Sequence, residues 1–388
     1  MAAGAAEIGA GAEAETADPA AGTIGTAADG RGARKQELLN EASSYTEDLV
    51  EARKLANGVT VTLERMPHVR SAAAGIWVKA GSVNEPVNQC GICHFLEHLL
   101  FKGTAKRSAR ELVAAIESDG GQINAFTTRD FICLYVKTLD THIHNGIDIL
   151  ADIIKNSTFA DLEKERNVVL DEIASVEDVP EDYVQELLTA QLWPGHPLGN
   201  PVSGTLESVT PLGLDEVRAF YQNWYHPRTL YFSVAGSFDQ DAVLDQICRE
   251  LGDLAPRPIL PGCRPPTFTP GVRTLERPIV QDHLCIGFPA LSVSDPCRYA
   301  YDVLCNALGG GSTSRLFDRI RESEGLAYAI YAFHASYGLA GMLGVYAAVA
   351  PHNLVRAKDV IFEELRRLRD EPLPEDELAS SREQLKGN

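Results

Sequence analysis

The sequence predicts an α+β fold of two domains, and three observations predict it. The length of 388 residues leaves room for two domains of ordinary size. Short alternating strand patterns are interspersed with amphipathic helix patterns, including one hairpin-like pair. A proline-loaded stretch, 256–270, divides the chain, and the pattern beyond it faintly repeats the pattern before it. The expected layout is a flexible segment over 1–45, a first domain over 46–255, a linker over 256–270 and a second domain over 271–388.

Composition narrows the class. The hydrophobic fraction of 45% is enough for real cores. No apolar run approaches the roughly 18 residues a membrane span needs, so no membrane partner is expected. A net charge of −19 argues against nucleic acid, which needs a basic surface; it suits solubility and attraction of cationic peptides. Residues 1–45 are rich in Ala, Gly, Thr and acids and cannot bury enough surface to order themselves. They lack the basic start and apolar core of a secretory signal. The early Glu7, Glu13, Glu15 and Asp18 also make a poor mitochondrial presequence. A bacterial cytoplasm is the expected compartment, with the mitochondrial matrix as the alternative. Eight cysteines are scattered through apolar segments, so reduced, buried thiols are expected. Cys90-x-x-Cys93 has the spacing of a metal or redox pair, but Cys93 reads better as a small apolar side chain.

The first domain opens at the Asn57-Gly58 turn with an alternating strand, 59–64. A second strand, 71–80, leads into a mostly apolar helix over 91–101 that carries three polar residues, His94, Glu97 and His98. The two histidines are one turn apart on one face, with Cβ atoms about 5–6 Å from each other. That spacing lets two imidazoles grip one Zn²⁺. Glu97 lies beside them and can take a proton from water beside the metal without being a ligand. The order His-x-x-Glu-His is an inverted zinc-peptidase signature. A catalytic zinc site ordinarily needs a third protein ligand.

A helix over 108–117, stopped by Gly120-Gly121, comes next. Then a hairpin-like pair, 122–127 and 131–138, turns around Thr128-Arg129-Asp130. A long amphipathic helix, 140–156, carries His142 and His144 on different faces as surface residues. The helix from Asp161, with that residue as its expected N-cap, follows. Glu165 and Glu172 lie on one face of it but about 10.5 Å apart along the axis, so one can be a ligand and the other an orienting group behind it. The residues alone leave Glu163, Glu165, Glu172 and Glu177 open as third ligand. A helix over 214–225 and a buried strand over 230–236 close this domain. In the second domain, 284–288 echoes the strand at 74–77, and a helix again follows, with no second metal motif. Gly309-Gly310-Gly311 lacks the Walker spacing and Lys of a phosphate loop and reads as a helix-entry turn.

The run from His94 to Thr104, with Glu165 to Ile173 behind it, resembles the pitrilysin/insulinase family of zinc endopeptidases. It is most similar to the branch of the mitochondrial processing peptidase β subunit and its bacterial relatives, from about Leu55 onward. The resemblance implies two related α/β-roll domains forming half of a clam shell. It implies one Zn²⁺ held by His94, His98 and Glu172, with Glu97 as general base and Glu165 as a supporting acid. It implies that the strand with Asn124, Ala125 and Phe126 holds the peptide substrate as an added strand. Arg321 and Tyr328 match a pair that contacts substrate and the reacting carbonyl from the opposite half, where a guanidinium and a phenol suit a developing oxyanion. A chain with one half then implies a homodimer, or a heterodimer with a homologous subunit. The second domain is expected to be short of roughly its last third against the size of its partner domain. The implied activity is endopeptidase cleavage of peptides in a closed chamber; the alternative is a homologous subunit that binds without cleaving.

Overall fold

A computed structural model describes residues 50–387, so the expected flexible segment 1–45 lies outside the described residues. The chain opens with a strand that sequence reading missed, β1 (Val50–Lys54), whose five residues carry no apolar alternation. It is defined by pairing with β2 (Thr60–Arg65). β3 (Ser71–Val78) leads into the motif helix α1 (Ile92–Leu100) and then α2 (Ala109–Glu117). The hairpin β4 (Gln122–Thr127) and β5 (Ile132–Leu139) turns where the sequence predicts. The long helix α3 (Ile143–Asn156) is preceded by a 3₁₀ turn, Asp140–His142, so its α-helical part starts later than expected.

Next come α4 (Leu162–Asp178), α5 (Pro180–Leu192), the single turn α6 (Leu206–Val209), α7 (Leu214–Trp224), β6 (Leu230–Gly236) and α8 (Gln240–Leu251). Asp161 stands at the N-cap position of α4, but its backbone is left-handed and its side chain makes no capping bond. The expected cap is therefore a backbone turn only. Helix α5 was not anticipated as a separate element; Pro180 starts it at a position where the missing N–H costs nothing.

These elements form a six-stranded sheet in the order β1-β2-β6-β3-β5-β4. Only β2 and β6 run parallel. The helices cover one face of it. Val61, Ala74, Ile76, Leu134, Val136 and Phe232 point into that layer and meet Phe95, Leu99, Ile147 and Leu150. The stretch 256–270 carries no helix or strand, but it is tied down: Thr269 donates to the Leu192 carbonyl at 2.9 Å, and Phe268 packs beside Trp193 and Leu198.

Beyond it lie β7 (Asp282–Ala290), α9 (Arg298–Gly309), a π-helical turn Phe317–Ser323, β8 (Ala327–Ser336), β9 (Gly341–Val349), α10 (Leu354–Asp370) and α11 (Glu375–Gly387). Strands β7-β9-β8 form an antiparallel sheet with its own core around Leu308, Ile320, Val345 and Val360. The order strand, helix, helical turn, hairpin, helix mirrors β3-α1-α2-β4-β5-α3, which is the echo the sequence carries. Gly309 closes α9, and the glycine run leads from that helix into the π turn.

Candidate metal centre

Helix α1 places the site. Six of its nine residues are buried, and the three that are not fully buried are His94, Glu97 and His98. Its start is fixed by Glu85, a buried residue that sequence reading missed. The Glu85 carboxylate accepts from the backbone N–H of Gly91 and of Cys93, each at 2.9 Å. These are leading N–H groups of a helix, which otherwise lack partners. Burial pushes the Glu85 carboxyl up to about 8, against the two N–H donors that favour its ionised form. Gly91 adopts φ +89°, and a Cβ there would stand 2.6 Å from the Ser203 carbonyl oxygen. Glycine is therefore required where α1 crosses that loop.

The two imidazole rings lie 4.7 Å apart, centroid to centroid. Helix α4 brings Glu172 to both: one carboxylate oxygen is 3.6 Å from His94 Nε2 and the other 3.5 Å from His98 Nε2. Candidate donor atoms from all three residues lie within 4.8 Å of one another. Tetrahedral ligands at zinc bond lengths are spaced by about 3.4 Å, so these separations fit a zinc ion between them. Glu165 stands two turns earlier on α4 and is buried. Its carboxylate is 3.5 Å from His98 Nδ1, the ring nitrogen turned away from Glu172, and 2.7 Å from Lys102 Nζ. The other acids on α4 point elsewhere: Glu163 pairs with Arg166 at the surface, and Glu177 lies near Arg277. Burial pulls the His94 imidazole down to about 4, offset by Glu172 and reinforced by His98. His94 Nδ1 is buried without a hydrogen-bond partner.

Glu97 faces the same space and accepts a hydrogen bond from Thr127 Oγ1 at the end of β4. Burial raises its carboxyl above the ordinary range, and the Thr127 bond and nearby His98 offset part of that rise. A cavity of about 660 Å³ opens here, lined by the cluster, by Ala125, Phe126 and Thr127 of β4, by Asp182 and Glu186 of α5, and by Phe333 and Tyr337 from the second sheet's hairpin. Arg129, at the hairpin turn, also lines it and stacks over Tyr337 at 5.4 Å. Burial, with Glu177 and Asp182 adding and Arg129 opposing, raises the Glu186 carboxyl. Strand β4 is the sheet's outer strand, with Asn124 and Phe126 exposed. Asn124 Oδ1 accepts from the N–H of Ala125 at 2.8 Å.

Arg321 and Tyr328 are not brought to this cavity. Tyr328 is 74% exposed, and the Arg321 guanidinium lies 5.6 Å from its ring centre. Cys90 and Cys93 are free and buried, and burial raises both thiols. His142 is half-buried beside Asp119 at 3.3 Å, and His144 is exposed.

Two imidazoles and a carboxylate converging on one point, with a further carboxyl at their side and a free strand edge alongside, are the parts metal-dependent hydrolases use. Comparison with known proteins agrees. The model described as Insulinase (Peptidase family M16) matches residues 60–206, and that of the Peptidase M16 inactive domain matches 211–385. The chain belongs to this insulinase family of peptidases. It is 39% identical to the uncharacterized zinc protease YmxG of Bacillus subtilis, over 86% of this chain and 81% of that one. It is 36% identical to an uncharacterized zinc protease of Streptomyces coelicolor, over 96% of this chain and 83% of that one. Among solved structures, a protease from Helicobacter pylori superposes with a TM-score of 0.82 at 21% identity, covering 87% of this chain and 84% of that one. A peptidase M16 inactive domain from Pseudomonas fluorescens gives 0.81 at 20%, over the same shares. These two likenesses speak for the fold.

Proposed function

We propose that this chain is a zinc-dependent endopeptidase acting on peptides and unfolded segments. The observation that carries the reading is the convergence of His94, His98 and Glu172 at 3.5–3.6 Å, with Glu97 facing the same cavity beside the open edge of β4. His94, His98 and Glu172 would hold one Zn²⁺, and Glu165 would fix the His98 ring through Nδ1. When bound, the ion supplies Lewis-acid polarisation of the scissile carbonyl and acidification of the attacking water. Glu97 takes the water's proton on its carboxylate and returns it to the leaving amine. Its burial and raised pKa suit both halves of that transfer. The edge of β4 at Asn124, Ala125 and Phe126 would hold the peptide by backbone hydrogen bonds, which demand little of its sequence. Asp182 and Glu186 on the cavity wall favour a cationic side chain near the cleavage point.

Arg321 and Tyr328 lie outside the cavity of their own chain, so in this reading they act on the site of a second, homologous subunit, identical or different. Incubating the protein with unstructured peptides and reading products by mass spectrometry tests the activity. Internal cleavages that stop on chelation and return with Zn²⁺ are expected. Peptide binding without any cleavage, under zinc loading and at every protein concentration, would favour the non-catalytic subunit instead.

A further inference from the structure

The Glu165 carboxylate bridges two groups with its two oxygens. Oε2 lies 3.5 Å from His98 Nδ1, and Oε1 lies 2.7 Å from Lys102 Nζ. The Glu165 side chain is only 4% exposed, whereas that of Lys102 is 27% exposed. Among the described residues no other Lys or Arg comes within ion-pair distance of this carboxylate. A buried carboxylate with a single cation depends on it, because removing one partner leaves an uncompensated charge in a poorly solvated place. The pair also suits both helices. Glu165 lies in the first turn of α4, where free N–H groups favour an anion. Lys102 follows the last turn of α1, where free carbonyls favour a cation.

The backbone keeps Lys102 within reach of that turn. Ser157 Oγ donates to the Leu100 carbonyl at 2.9 Å, and the Thr158 N–H donates to the Gly103 carbonyl at 3.1 Å. The Ala105 N–H donates to the Asn156 carbonyl at 3.0 Å. The segment leaving α1 is thus tied to the segment entering α4. His98 then stands between two carboxylates of α4, with Glu165 at Nδ1 and Glu172 3.5 Å from Nε2. An Nδ1–H directed at Glu165 leaves the Nε2 lone pair free for a metal on the Glu172 side. Whatever fixes Glu165 therefore also sets the His98 ring.

We propose that Lys102 is a positioning residue of the metal centre, acting through Glu165 to hold the His98 ring with Nε2 toward Glu172. This rests on the zinc site of the endopeptidase reading. The action is electrostatic, so charge at position 102 matters more than bulk. Lys102→Met and Lys102→Gln remove the charge and keep an unbranched stem, and Lys102→Arg keeps the charge. Both neutral variants are also made in a Glu165→Gln background. Zinc affinity is read by competition with a chelating dye, and the stability of each metal-free protein by urea unfolding. The neutral variants are expected to bind zinc about tenfold more weakly than wild type. Lys102→Arg is expected to stay within about twofold of wild type, and the neutral variants to add no more than about twofold once Glu165 is replaced. Unchanged zinc affinity in the neutral variants, even with lower urea stability, would make Lys102 a staple between α1 and α4 and overturn the proposal. A Lys102→Arg protein as weak as the neutral variants would also overturn it, as would an undiminished loss in the Glu165→Gln background. The tenfold loss and its rescue, in a protein that cuts no peptide, would sink the endopeptidase reading and leave the positioning role. Zinc-dependent cleavage with an affinity indifferent to Lys102 would sink the positioning role alone.

Discussion

At the residue scale the proposed metal cluster depends on burial as much as on spacing. Glu165 is the clearest case: it is buried, it faces His98 Nδ1, and Lys102 supports it from behind. Glu165→Ala is expected to weaken zinc affinity by about 10–100-fold, read by competition with a chelating dye. An unchanged affinity would remove Glu165 from the site. His94 gives a pH signature in the metal-stripped protein. Its imidazole titrates near 4 when folded and near 6.5 when unfolded, so between those values the unfolded chain binds more protons. Its contribution to stability is present above 6.5 and is lost as pH falls toward 4. Glu97, raised by burial, has the opposite slope: its contribution turns unfavourable as pH rises past 4.5. Comparing wild type with His94→Gln isolates the histidine. Urea unfolding should show wild type losing more stability than the variant from neutral pH to about 5. The His-x-x-Glu-His triplet was legible because helix geometry alone puts it on one face. Spacing alone did not single out the proposed third ligand, since four glutamates on α4 look alike; the family resemblance is what pointed to Glu172. Only Glu172 reaches both histidines, while Glu163 and Glu177 lie beside arginines.

At the element scale the setting of α1 depends on how its first turn is held. Glu85→Ala leaves two buried N–H groups without partners and should cost about 2–4 kcal/mol by urea denaturation. Gly91→Ala combines a left-handed backbone with a clash against the Ser203 loop and should cost at least about 2 kcal/mol. If both variants unfold like wild type, this account of the helix start is wrong. Neither effect was readable in advance. Glu85 lies in a 3₁₀ connection, and its role appears only when that connection folds back onto α1. The hairpin β4-β5 and helix α3 were legible because their apolar residues keep a clean period. Strand β1 and helix α5 were not, because β1 is largely exposed and α5 carries only a weak apolar stripe, with Leu188 and Leu192 buried toward its end. That cost the sequence reading Asp182 and Glu186, which line the cavity from α5.

At the scale of the whole molecule, the open question is whether one chain completes a site. If Arg321 and Tyr328 serve a partner's zinc, a Glu97→Gln chain mixed with a Tyr328→Phe chain should recover activity that neither has alone. In a homodimer with random exchange, about a quarter of the wild-type sites return. Failure of the mixture to exceed its parts would place the pair outside catalysis. The central claim is tested most directly by zinc stoichiometry, measured together with cleavage of a quenched fluorogenic peptide, on wild type and Glu97→Gln. The account predicts one zinc per chain in both proteins and cleavage by the wild type alone. Absence of zinc from both, or equal cleavage by both, would contradict it.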